Sequence, residues 1–185
     1  MASMNMLDIV AKAITWLNTM VGRLTAYLIL LMFALLFAEV LFRYLWRTPS
    51  VWTGELSQML FAAYALLGGG YLLARNGHVN VDIFYANFPH RTKAAVDIVT
   101  SILFFLFIGT LVWQGLSLAA DSVARWERSH SAWNPPVWPI KAIIPISAAL
   151  VLLQGIVKLA SDILVVLGRR PLAAANDRGS AEDAL

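Results

Sequence analysis

"LTAYLILLMFALLFAEVLF", residues Leu24–Phe42, carries a single charge, Glu39, in nineteen positions. Nineteen residues at a rise of about 1.5 Å cover roughly 28 Å, which matches a hydrocarbon layer about 30 Å thick. Inside lipid each backbone N–H and C=O must be bonded within the segment, so such a stretch is a helix. Leu56–Ala74 and Ile98–Ala120 contain no charge, and Ala142–Leu167 is interrupted only by Lys158 and Asp162. The fold class is therefore all-α and integral to a membrane. The sequence predicts four spans, at about 24–44, 56–74, 96–122 and 141–167, in one domain covering 1–170.

Composition agrees, with 59% apolar and 14% charged residues in a chain of 185. The first span is longer than a signal-peptide core and lacks a small-residue cleavage site after it, which predicts that it is retained. Cysteine is absent from the sequence, so disulfide, thiolate and iron–sulfur chemistry are excluded together. Counting Lys and Arg by side, with the N-terminus inside, puts nine on the inner segments and five on the outer ones. That bias predicts both termini in the cytoplasm. Trp46, Trp52, Trp126, Trp133 and Trp138 then all fall on the outer side.

Two further helices are expected at the membrane surface. Met6, Val10, Ala13, Leu17, Met20 and Leu24 recur at helical spacing before the first span, which predicts an amphipathic interfacial helix. In "RNGHVNVDIF", starting at Arg75, alternation suggests a strand, but a lone strand there has no sheet to join. Val81, Phe84, Tyr85 and Phe88 follow a helical period between Gly77 and Pro89, which predicts a short interfacial helix at about 81–88. One histidine and one aspartate are too few for a metal centre there. The tail 171–185 is small, polar and broken by Pro171 and Gly179, and is expected to be disordered.

The candidate functional residues are few. Glu39 is the one acid of the first span; it sits near the outer end, with Arg43 as its i+4 neighbour. A packing or subunit-contact role and a proton or ion role are both open to it. Glu55, beside Trp52, opens span two, where a helix dipole or a partner's cation would stabilise it. Ala62, Ala65 and Gly69 form a small-residue side that suits close helix packing. The loop Arg125–Lys141, "RWERSHSAWNPPVWPIK", contains four charges, three tryptophans and three prolines. Its prolines are expected to stiffen it and bar helix, and its aromatic and basic residues suit docking or an aromatic belt. The sequence has no P-loop, and no histidine lies within a span, so nucleotide hydrolysis by that loop and intrabundle haem ligation are not expected. The chain does not read as an enzyme.

Taken in order, Trp52 and Glu55, the glycines ending span two, "GHVNVD" (77–82) and "WNPPVWPIKAIIP" (133–145) resemble the small membrane subunit of tripartite ATP-independent periplasmic (TRAP) transporters. The likeness runs from about Leu35 to Gln154. It implies a bacterial inner-membrane protein that scaffolds a large permease subunit, while a periplasmic binding protein captures an organic acid. Sodium coupling belongs to the large subunit in that scheme, and this chain needs no cofactor. The resemblance makes Glu39, Arg43, Trp52, Glu55, Gly69, His78 and Asp82 candidate subunit contacts. It makes Arg125, Trp126, Glu127, Trp133, Pro136, Trp138 and Lys141 candidate docking residues on the periplasmic side. A stand-alone four-helix exporter using Glu39 is the alternative, though such an acid is expected nearer mid-span and without an adjacent arginine.

Overall fold

The structure, a computed structural model, describes residues 6–75 and 89–172. Four helices follow one another: α1 Met6–Tyr44, α2 Thr53–Ala74, α3 His90–Ala124 and α4 Trp138–Val166. Each is long and apolar enough to cross a membrane. Among the described residues there is no strand, only an isolated bridge between Arg128 and Pro136.

The separate N-terminal interfacial helix is not observed. Its residues are the first half of α1, which runs unbroken for 39 residues, about 58 Å at helical rise. The helix contains no proline, and its polar side chains feed back into the backbone ladder. Thr25 Oγ1 donates to the Val21 carbonyl at 2.6 Å, and Asn18 Nδ2 to that of Ile14 at 3.2 Å. The buried residues of α1 are Ala11, Asn18, Gly22 and Thr25, all small or polar. The apolar stripe faces outward instead, with Met6 81% and Leu24 58% exposed. Small residues at the contact let helices approach closely, and the large ones cover the outside.

The other boundaries shift by a few residues. α3 begins at His90, after Pro89. α4 begins at Trp138, so Pro139 lies inside its first turn, where a helix needs no N–H from it. The expectation that all three loop prolines exclude helix fails at this one. The predicted helix at 81–88 lies outside the described residues, as do His78 and Asp82. Of the expected tail, Pro171 and Leu172 are described, and Leu172 is buried against Ala11 and Val157.

Packing follows the order α1, α2, α4, α3. α1 lies along α2, α2 along α4, and α4 makes its most extensive contact with α3. α1 also reaches α4 near one end, whereas α3 scarcely touches α1 or α2. The result is an open assembly with α2 and α4 central. Close approaches occur at glycines: a β-carbon on Gly155 would stand 2.3 Å from Phe104 Cε1, and one on Gly22 would stand 2.3 Å from Tyr71 Cβ. Gly69, expected to serve close packing, faces Val151 of α4. A polar cluster ties the centre: Gln154, fully buried, accepts from Asn18 Nδ2 at 3.3 Å and donates to Thr15 Oγ1 at 3.3 Å. At the end opposite the tryptophans, Lys158 joins α4 to α3 by donating to Asp97, and it also reaches Asp162 at 3.3 Å.

Candidate functional site at the tryptophan-rich end

Two loops meet at one end of the assembly, residues 45–52 between α1 and α2, and 125–137 between α3 and α4. The first loop is pinned by Glu39. Its carboxylate accepts from Arg43 Nη2 at 2.9 Å, from the Ser50 amide at 3.2 Å and from the Ser50 hydroxyl at 2.5 Å. Ser50 Oγ also contacts Thr53 Oγ1 and accepts from the Thr53 amide at 3.3 Å, which satisfies the first amide of α2. Glu39 therefore fastens the end of α1 to the beginning of α2. Both of its oxygens are engaged in charge-assisted hydrogen bonds.

The second loop closes on itself. The Ser129 amide donates to the Pro135 carbonyl at 2.8 Å, and the Val137 amide to that of Glu127 at 3.0 Å. Arg128 Nε donates to the Asn134 carbonyl at 3.0 Å, and the Asn134 amide to Ser131 Oγ at 3.1 Å. Lys141 Nζ donates to both Glu127 oxygens at 2.6 Å, anchoring the loop to the first turn of α4. That ammonium holds the Glu127 carboxyl below the ordinary carboxylate range.

The start of this loop carries backbone strain. Glu127 N bonds to Ser122 O at 3.0 Å and Trp126 N to Val123 O at 3.1 Å, the pattern that ends a helix with a left-handed residue. Trp126 occupies that position with φ 47°. At the end of α4 the same pattern places Gly168 there, with φ 73°. Glycine is the residue such a site favours, and a bulky side chain there costs of order 1–3 kcal/mol. Trp126 nonetheless remains 72% exposed while packing edge-on to Trp138, with ring centroids 5.7 Å apart.

The loops are joined to each other. Ser131 donates its hydroxyl to Glu55 Oε2 in the first turn of α2, and Trp52 lies against Trp133 with centroids 6.4 Å apart. Glu39, Arg43, Trp52, Glu55, Trp126, Glu127, Trp133, Pro136, Trp138 and Lys141 thus all lie within these two linked loops and the helix ends they join. Arg125 is half-tied, reaching Asp121 at 3.4 Å on the exposed face of α3. Gly69 is elsewhere, inside the α2–α4 contact.

Sequence reasoning missed Ser50, Thr53, Ser131 and Asn134, which bind the platform together. Ser50 had a legible signal, a hydroxyl residue just before a helix. The Glu55–Ser131 link spans 76 positions and has none.

The comparisons with known proteins concern the same span. Residues 32–165 match the model of the family described as tripartite ATP-independent periplasmic transporters, DctQ component. The chain is 26% identical over 99 residues to the sialic acid TRAP transporter small permease protein SiaQ of Vibrio cholerae, covering 54% of this chain and 57% of that one. It is 27% identical over 135 residues to the sialic acid TRAP transporter permease protein SiaT of Haemophilus influenzae, covering 70% of this chain but 21% of that longer protein. The chain thus spans little over half of the first relative and about a fifth of the second. With four helices able to cross a membrane and a family match over most of its length, the protein belongs to the DctQ component family of tripartite ATP-independent periplasmic transporters.

Proposed function

We propose that this chain is the small, non-catalytic permease subunit of a secondary transporter that takes up an organic acid at the expense of an ion gradient. In this reading it lies in the bacterial inner membrane with both termini in the cytoplasm, and its tryptophan-rich end faces the periplasm. It scaffolds a large permease subunit and presents a platform to a soluble binding protein. Substrate translocation and ion coupling then reside in the large subunit.

The state of Glu39 carries the proposal. The acid that a proton-coupled exporter needs is held by Arg43 and Ser50, so it braces the α1–α2 connection. The buried amides Asn18 and Gln154 bond to each other in the interior. Support for a large partner comes from SiaT, in which the stretch resembling this chain is about a fifth of a longer permease.

The test is reconstitution. Purified chain alone in liposomes, under an inward sodium gradient, should give no organic-acid uptake. Adding the large permease subunit of the same transporter, with the loaded binding protein outside, should establish uptake. Sodium-dependent flux through this chain alone would refute the scaffold role.

A further inference from the structure

We infer that the tryptophan-rich end docks an acidic surface of the soluble binding protein, with Arg128 and Arg47 reading carboxylates and Trp126 as the apolar anchor. This rests on the docking role proposed above and adds the chemistry of the partner.

The charges at this end decide the sign. Three basic groups are matched within the chain: Arg43 by Glu39 at 2.9 Å, Arg125 by Asp121 at 3.4 Å and Lys141 by Glu127 at 2.6 Å. Among the described residues, neither Arg47 nor Arg128 has a carboxylate within ion-pairing distance, and both are exposed. Against them stands Glu55, which is partly covered and turned toward the Ser131 hydroxyl. The uncompensated outward charge is therefore positive, and His130 beside it is exposed as well.

Geometry supports a carboxylate ligand. Arg128 spends its Nε on the Asn134 carbonyl, which orients the guanidinium while leaving its terminal nitrogens without a partner carboxylate. A planar fork held this way suits a carboxylate better than a lysine would. Trp126, Arg128, His130, Ser131 and Asn134 line one recess, so an acidic side chain entering it meets the arginine beside an indole. The loop is already closed by its own hydrogen bonds, and a preformed surface loses little conformational freedom on binding. Exposed Trp and Arg together are the residue types that concentrate binding energy. The strained backbone of Trp126 is consistent with a side chain kept for contact rather than for folding.

The experiment uses this chain with its large permease subunit in nanodiscs and, as probe, the soluble binding protein of the same transporter. Arg128→Glu should weaken docking about tenfold or more at low salt, and Arg47→Glu should weaken it in the same direction. Arg128→Lys, which keeps the charge but loses the planar fork, should weaken docking by less than Arg128→Glu does. Raising salt from about 50 to about 300 mM should weaken the unmodified complex markedly and the Arg128→Glu complex much less. Unchanged affinity and salt dependence in Arg128→Glu overturn the acidic partner. If Trp126→Ala still weakens docking in that case, the docking platform stands and only its charge reading falls. If Trp126→Ala and Trp133→Ala are also silent, the docking role itself is wrong. An Arg128→Glu effect confined to nanodiscs containing anionic lipid would assign the arginine to headgroups and overturn the inference.

Discussion

The side-chain oxygen of Asn18 lies 1.9 Å from the place a β-carbon on Gly70 would occupy. α1 and α2 meet here because position 70 has no side chain. The Asn18 amide nitrogen bonds to the Leu150 carbonyl at 3.3 Å and to Gln154 Oε1 at 3.3 Å, while its oxygen has no hydrogen-bond partner among the described residues.

Gly70→Ala should therefore lower the subunit's stability by about 1–3 kcal/mol, the usual cost of overfilling a packed contact. Gly68 is the control, since a β-carbon there meets nothing within 4 Å. Gly68→Ala should be neutral, or stabilising by up to about 1 kcal/mol through helix propensity. Thermal unfolding in detergent separates them, and equal shifts for both would show that the close approach is absent.

Glu39→Gln keeps an acceptor for Ser50 but loses the charge opposite Arg43. Assembly with the large subunit should persist, and uptake by the complete transporter should fall only modestly. Loss of ion-coupled uptake with intact assembly would transfer Glu39 from brace to coupling group.

Trp126→Gly replaces a strained side chain with the residue its backbone favours. The loop should become more stable, by about 1 kcal/mol or more, while docking of the binding protein weakens. Such opposed effects mark a residue kept for function at a cost in stability. Thermal unfolding and binding measured on the same preparation test both halves.

Glu127 gives a pH dependence. Its folded pKa lies below the ordinary value because of Lys141. Its contribution is therefore fully present above the unfolded pKa of about 4.3, and it is lost as pH falls through the folded value. Tryptophan fluorescence from the loop should be flat from neutral pH to about 5 and change only in more acid solution. Glu127→Gln should resemble the acid form at neutral pH.

The platform was only partly readable in the sequence. Trp52, Glu55 and the Arg125–Lys141 loop stood out because charged and aromatic residues bounding apolar spans demand an explanation. Their mutual arrangement did not, since Trp52–Trp133 and Glu55–Ser131 join residues from separate loops. The docking candidates read from the sequence included Arg125 and left out Arg128. Only the ion-pair geometry shows that Arg125 has Asp121 within reach while Arg128 has no carboxylate within reach among the described residues.

The four spans followed from the sequence alone, because lipid forces any long apolar stretch to bond its backbone internally. That requirement is local and depends on composition, so no knowledge of neighbours is needed to apply it. Which face of each helix is buried depended on tertiary structure. In water the apolar stripe of α1 would turn inward, but in a membrane its large side chains face out. Asn18, Gly22 and Thr25 are enclosed instead, because close fit and polar pairing, not removal of oil from water, bring helices together there. The adjacency of α4 to α2, and the isolation of α3 behind α4, were likewise decided by which small residues face which partner.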